Sequence, residues 1–124
     1  MLSFRTLTSL CLALFFLLST VGSAGAEQLN DDQIWQVVAQ AFPGDQVARA
    51  VSVAWCESRF DTAARAPYGY QGLFQIDPGL HQWRADALFG PGASLSDPHV
   101  NAAVAAQIWA ESGWGPWPVC GRTF

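Results

Sequence analysis

The sequence predicts a small, mainly α-helical (α+β) domain with a buried central helix, one short strand region and one disulfide. Three observations carry that expectation. Capping residues precede apolar residues at helical spacing at several points beyond residue 27. One short piece, GLFQI, has extended character between turn-forming residues. Two cysteines, Cys56 and Cys120, stand far apart in a chain small enough to profit from a staple.

The first residues are set apart from the domain. Arg5 precedes an apolar run from Leu10 to Leu18, and Ala24-Gly25-Ala26 follows as a small-x-small cleavage pattern. That is the layout of a secretory signal peptide over residues 1–26, and the run is short for a transmembrane helix. An uncleaved membrane anchor is the alternative. Cleavage leaves residues 27–124 as one domain, secreted or wall-associated and expected to be a monomer without stable membrane insertion.

The elements then follow in order. Asn30 and Gln33 form a capping box ahead of Ile34, Val37, Val38 and Ala41, and Pro43-Gly44 ends that helix. Asp45 is expected to cap a second helix through VARAVSVAWC, which is apolar almost all round and therefore suited to a domain centre. Residues 61–72 break into small, turn-forming types before GLFQI. After Asp77-Pro78-Gly79 a third helix is expected over Leu80–Phe89. Asp97 caps a fourth, with Pro98 at its first position and Gly113 closing it.

Two cysteines survive cleavage, and in an exported chain an even number reads as a disulfide, here with one possible pairing. Two free or metal-bound thiols are the alternative, although no CxxC or HxxxH spacing supports a metal site. No cofactor motif is present.

All ten acidic residues lie beyond residue 26, against five arginines there and no lysine. An acidic domain is a poor nucleic-acid partner. Six tryptophans in so short a chain suggest that some line a groove, while most belong to packing.

Glu57 stands out in WCESRF because it closes an apolar run at a helix C-terminus. Low dielectric and the negative end of the helix dipole both disfavour its ionised form, which suits a general acid. A helix-ending glutamate turned into water is the bland alternative.

The stretch AVSVAWCESRFDTAARAPYGYQGLFQI resembles the lysozyme-like superfamily, in particular its soluble lytic transglycosylase domain. In that family a helix ends in Glu-Ser and Gly-Leu-(Met or Phe)-Gln-Ile follows an irregular segment. Here these are Glu57-Ser58 and Gly72-Leu73-Phe74-Gln75-Ile76. Asp97-Pro98-His99-Val100-Asn101 looks like the family's Asp-Pro-x-x-Asn segment. CES together with WPVCG also resembles the resuscitation-promoting factors, in which the corresponding cysteines form a disulfide. The similarity spans most of residues 45–122.

The resemblance implies a lysozyme-like fold and cleavage of the β-1,4 bond between N-acetylmuramic acid and N-acetylglucosamine in peptidoglycan. It matches Glu57 to the catalytic acid and Gln75 and Asn101 to residues lining the cleft. Tyr70, Trp114 and Trp117 are candidate sugar contacts only as aromatics near these segments. Chicken-type lysozymes carry a second acid where this chain has Tyr70, which favours the one-glutamate lytic transglycosylase chemistry over hydrolysis. Asp61 and Asp77 are the nearest substitutes. Resuscitation-promoting factors have glycine-rich sequence where this chain has Arg59-Phe60-Asp61. A hydrolytic lysozyme and a noncatalytic glycan-binding relative stay open as alternatives.

Overall fold

The computed structural model describes residues 28–122 and contains four α-helices: α1 (Asp31–Ala41), α2 (Val47–Ser58), α3 (Pro78–Phe89) and α4 (Pro98–Ser112). The signal peptide expected over residues 1–26 lies outside the described residues. Among those residues, no helix is long and apolar enough to cross a membrane.

Local cap chemistry sets most helix starts. The Asn30 side chain accepts from the Gln33 N–H at 2.9 Å, and Gln33 returns the bond to the Asn30 N–H at 3.0 Å. Asp97 accepts from the His99 and Val100 N–H groups, with Pro98 at the first helical position. Two starts differ from expectation. Asp45 caps nothing; it lies in a 3₁₀ turn, Gly44–Gln46, that passes directly into α2. That turn satisfies the Gln46 N–H on the Pro43 carbonyl at 2.8 Å, so no side-chain cap is required there. Helix α3 begins at Pro78 rather than Leu80 because Asp77 accepts from the Gly79 N–H at 2.8 Å.

The centre of the domain is α4. It packs against both α1 and α3, and buries Val100, Asn101, Ala102, Val104, Ala105 and Ile108. Helix α2 packs on α1 and on the C-terminal turn, burying Val47, Ala50, Val53 and Ala54 while leaving Trp55 half-exposed. The central helix is therefore the fourth, not the second.

The strand expected at GLFQI is not a strand. Gln71 and Ile76 exchange both backbone hydrogen bonds at 2.9 Å and close a tight loop, with a second isolated bridge between Arg65 and Gln71. Leu73 and Phe74 are both fully buried. Consecutive residues of a strand point to opposite faces, so only a turn can send both into one core. The loop places Gln75 at φ 49°, the left-handed region that non-glycine residues seldom occupy.

Cys56 and Cys120 form the expected disulfide, with Cα atoms 5.7 Å apart and a sequence separation of 64. It fixes the C-terminal segment to the end of α2. Breaking it by a Cys56→Ala/Cys120→Ala double substitution is expected to cost about 4 kcal/mol of stability in the chain-entropy model. Urea midpoints of the two proteins measure this; coincident midpoints would show that the crosslink contributes nothing.

Candidate active site

Glu57 is the penultimate residue of α2, and the chain leaves that helix abruptly. Arg59 and Phe60 take φ values of 53° and 63°, two successive left-handed residues. This reversal buries Phe60 edge-on against Trp55, with ring centroids 5.0 Å apart. Ser58 is turned inward and donates to the Ala54 carbonyl at 3.0 Å. Glu57 is thereby left between the disulfide and a groove instead of swinging free at a frayed helix end.

The groove is a hollow of about 580 Å³ lined by Glu57, Arg65, Tyr68, Tyr70, Gln75 and Trp117, with Pro116 to Cys120 completing one wall. A second hollow of about 280 Å³ shares Tyr70, Gln75, Pro116 and Trp117 and continues past Asp77, Leu80 and His81. The two make one depression running across the face of the domain, with Gln75 at the junction.

Electrostatics set Glu57 apart from its neighbours. Burial pushes its carboxyl above the usual glutamate range, because the ionised form loses solvation there. Among the described residues, Glu57 is the one carboxylate lining its hollow. Asp61 is exposed outside the groove and accepts from the Ala63 N–H. Asp77 lines the second hollow and serves as the α3 cap. At that end burial, then the Arg84 guanidinium, hold His81 below the usual histidine range.

Gln75 is anchored from the other side. Its amide N–H groups donate to the Ala64 carbonyl at 3.2 Å and the Gly72 carbonyl at 3.0 Å. Those bonds leave Oε1 as the acceptor able to face a ligand. Trp117 donates to the Phe74 carbonyl at 2.9 Å, so the C-terminal segment and the 72–75 loop form a continuous wall.

Of the residues expected to meet substrate, Glu57, Gln75, Tyr70 and Trp117 line the groove and two do not. Asn101 is 0% exposed. Its side chain accepts from the Phe74 N–H at 2.8 Å and donates to the Gln71 and Leu95 carbonyls at 2.9 and 2.7 Å. Trp114 is also buried, stacked on Phe42 at 5.6 Å with its indole N–H on Gln46. Both hold the scaffold rather than the ligand side of the cleft. Sequence reasoning missed Arg65 and Tyr68. The signal was present: Arg65 and the first tyrosine of Tyr-Gly-Tyr both lie between Glu57 and Gln75.

Comparison with known proteins fits this arrangement. A family model described as a lysozyme-like domain matches residues 26–119. Resuscitation-promoting factor RpfA of Mycobacterium tuberculosis is 35% identical over 78 residues, 63% of this chain and 18% of that protein. Resuscitation-promoting factor RpfB of Mycolicibacterium smegmatis is 29% identical over 69 residues, 56% of this chain and 19% of that protein. The matched region spans less than a fifth of either relative. No solved structure matches the chain. With a family model covering most of its length, a helical fold of the expected kind and the expected disulfide, the chain belongs to the lysozyme-like domain family.

Proposed function

We propose that this protein is a secreted peptidoglycan-cleaving glycosidase that acts on the β-1,4 bond between N-acetylmuramic acid and N-acetylglucosamine. Its exported form is residues 27–124, released from a signal peptide at residues 1–26. The observation that carries the reading is Glu57, among the described residues the one carboxylate lining the larger hollow, where burial favours its neutral form. A protonated Glu57 donates its proton to the glycosidic oxygen as the C1–O bond of muramic acid breaks.

Most glycosidases stabilise the resulting oxocarbenium-like centre with a second carboxyl group on the opposite face. Among the described residues, the Glu57 hollow supplies none. The substrate's own N-acetyl group takes that part, and the Glu57 carboxylate then accepts the proton of the muramic acid 6-hydroxyl. The 6-oxygen bonds to C1, Glu57 is reprotonated, and the product is a 1,6-anhydro sugar formed without water. Gln75 orients the strand through its Oε1, and the exposed Tyr70 offers ring surface to the sugars.

The experiment is digestion of purified peptidoglycan followed by mass spectrometry of the new sugar ends. Ends lighter by one water are expected. Ordinary reducing ends would replace the transglycosylase reading with hydrolysis, and binding without any new ends would identify a noncatalytic glycan-binding relative.

A further inference from the structure

Among the described residues, Arg65 is the one positively charged residue lining the Glu57 hollow. The chain as a whole has ten carboxylates and six arginines, so a cation on that wall runs against its general character. The backbone around Arg65 is held on both sides. Arg65 is bridged to Gln71, the Ala64 carbonyl accepts from both the Gly72 N–H and the Gln75 side chain, and the Ala66 N–H donates to the Tyr70 carbonyl. The bonds that place Gln75 and Tyr70 in the groove therefore also place Arg65.

Most of the other described arginines are engaged inside the protein. Arg84 pairs with Glu111, Arg49 donates to the Gly121 carbonyl, and Arg59 lies over the Trp55 ring. The Arg65 side chain is exposed, and among the described residues no carboxylate pairs with it. Nor is it there to ionise Glu57, whose carboxyl is shifted upward by burial. A guanidinium fixed at its base, turned to a groove and lacking an internal partner has the planar fork that binds a carboxylate through two parallel hydrogen bonds. The net charge of −4 repels an anionic strand at long range, so such a pairing acts only once the ligand is seated.

We propose that Arg65 forms an anion subsite that takes a carboxylate carried as a substituent on the bound glycan. It lets the groove tell acid-bearing amino-sugar strands from uncharged ones. The inference rests on the glycan-cleaving function proposed above. Two carboxylates have the required chemistry, the lactyl acid of muramic acid and the acids of an attached peptide stem.

The test measures binding in a Glu57→Gln background, so that no ligand is consumed. Three ligands are titrated by calorimetry: an uncharged β-1,4-linked N-acetylglucosamine oligomer, a muramic acid-containing oligomer stripped of peptide, and the same oligomer with its stems. Adding Arg65→Gln is expected to weaken the carboxylate-bearing ligands on the order of tenfold. Affinity for the uncharged oligomer should stay within about twofold, and Arg65→Lys should restore part of the loss. Weakening with the stripped oligomer assigns the lactyl carboxylate; weakening only with stems present assigns the stem. An equal change for all three ligands, or no change for any, overturns the subsite while leaving the glycan reading intact. Failure of the protein with Arg65 present to bind either muramic acid-containing oligomer overturns both.

Discussion

Glu57→Gln is expected to reduce peptidoglycan cleavage by about a thousandfold, since the proposed reaction uses this one side chain as both acid and base. The same substitution is expected to stabilise the folded protein near neutral pH. The Glu57 carboxyl is raised by burial, so its ionised form fits the folded state less well than the unfolded one. Below the ordinary glutamate range both states hold the proton and Glu57 contributes no penalty. As pH rises from the ordinary glutamate value towards the raised folded one, the unfolded chain ionises while the folded state still holds its proton, so the folded state loses relative stability until it ionises as well. Glutamine keeps the shape and removes that ionisation. Melting temperatures of parent and variant should therefore converge at acid pH and separate above it, with the variant higher. Cleavage by the parent should fall over the same rise, because the acid form is the one that starts the reaction. A variant that clears peptidoglycan at the parental rate removes Glu57 from the mechanism. One that melts below the parent at every pH shows the carboxylate to be a structural partner instead.

What could be read from the sequence was mostly what is local. The Asn30–Gln33 box and the Asp97-Pro98 start depend on residues within one helical turn, and both form as the sequence implies. Asp45 failed for a reason of the same range, because a 3₁₀ turn had already satisfied the donors it was expected to cap. GLFQI failed because its residue types suit a strand, while two adjacent side chains have to enter the same core. Trp114 could not be assigned from its neighbours in sequence, since its partners Phe42 and Gln46 lie about seventy residues earlier. Glu57 and Gln75 were brought into one site by family resemblance, not by spacing; the left-handed residues that aim them are tertiary features. Asn101 did leave a trace. It shares a helical face with Val104, Ala105 and Ile108, and a polar residue on an apolar stripe must find partners inside the protein.

Asn101→Ala is expected to cost about 5 kcal/mol of stability, a large share of what a domain of this size possesses. Its carboxamide satisfies three separate backbone groups: the Phe74 N–H and the carbonyls of Gln71 and Leu95. All three lie where the side chain is completely shielded from water. Truncation strands the Phe74 N–H and the Leu95 carbonyl, each at a desolvation cost of about 1–3 kcal/mol, while the Gln71 carbonyl keeps its bond from the Ile76 N–H. It also leaves a cavity beside Gly72, where the packing is so close that an added Cβ would collide with Asn101 and the Leu95 carbonyl. Asn101→Asp retains the acceptor for Phe74 but loses the donors and buries a charge, so it should be no milder. The loop that Asn101 clamps carries Gln75, which places an activity loss downstream of the structural one. Urea unfolding measures the stability term, and cleavage at temperatures where the variant is still folded measures the second. Excess loss of activity there, expressed as a raised KM with Gln75 misplaced, is the expected outcome. A variant with parental midpoint and parental KM would show that the loop holds its shape through Trp117 and the Gln71–Ile76 pair alone.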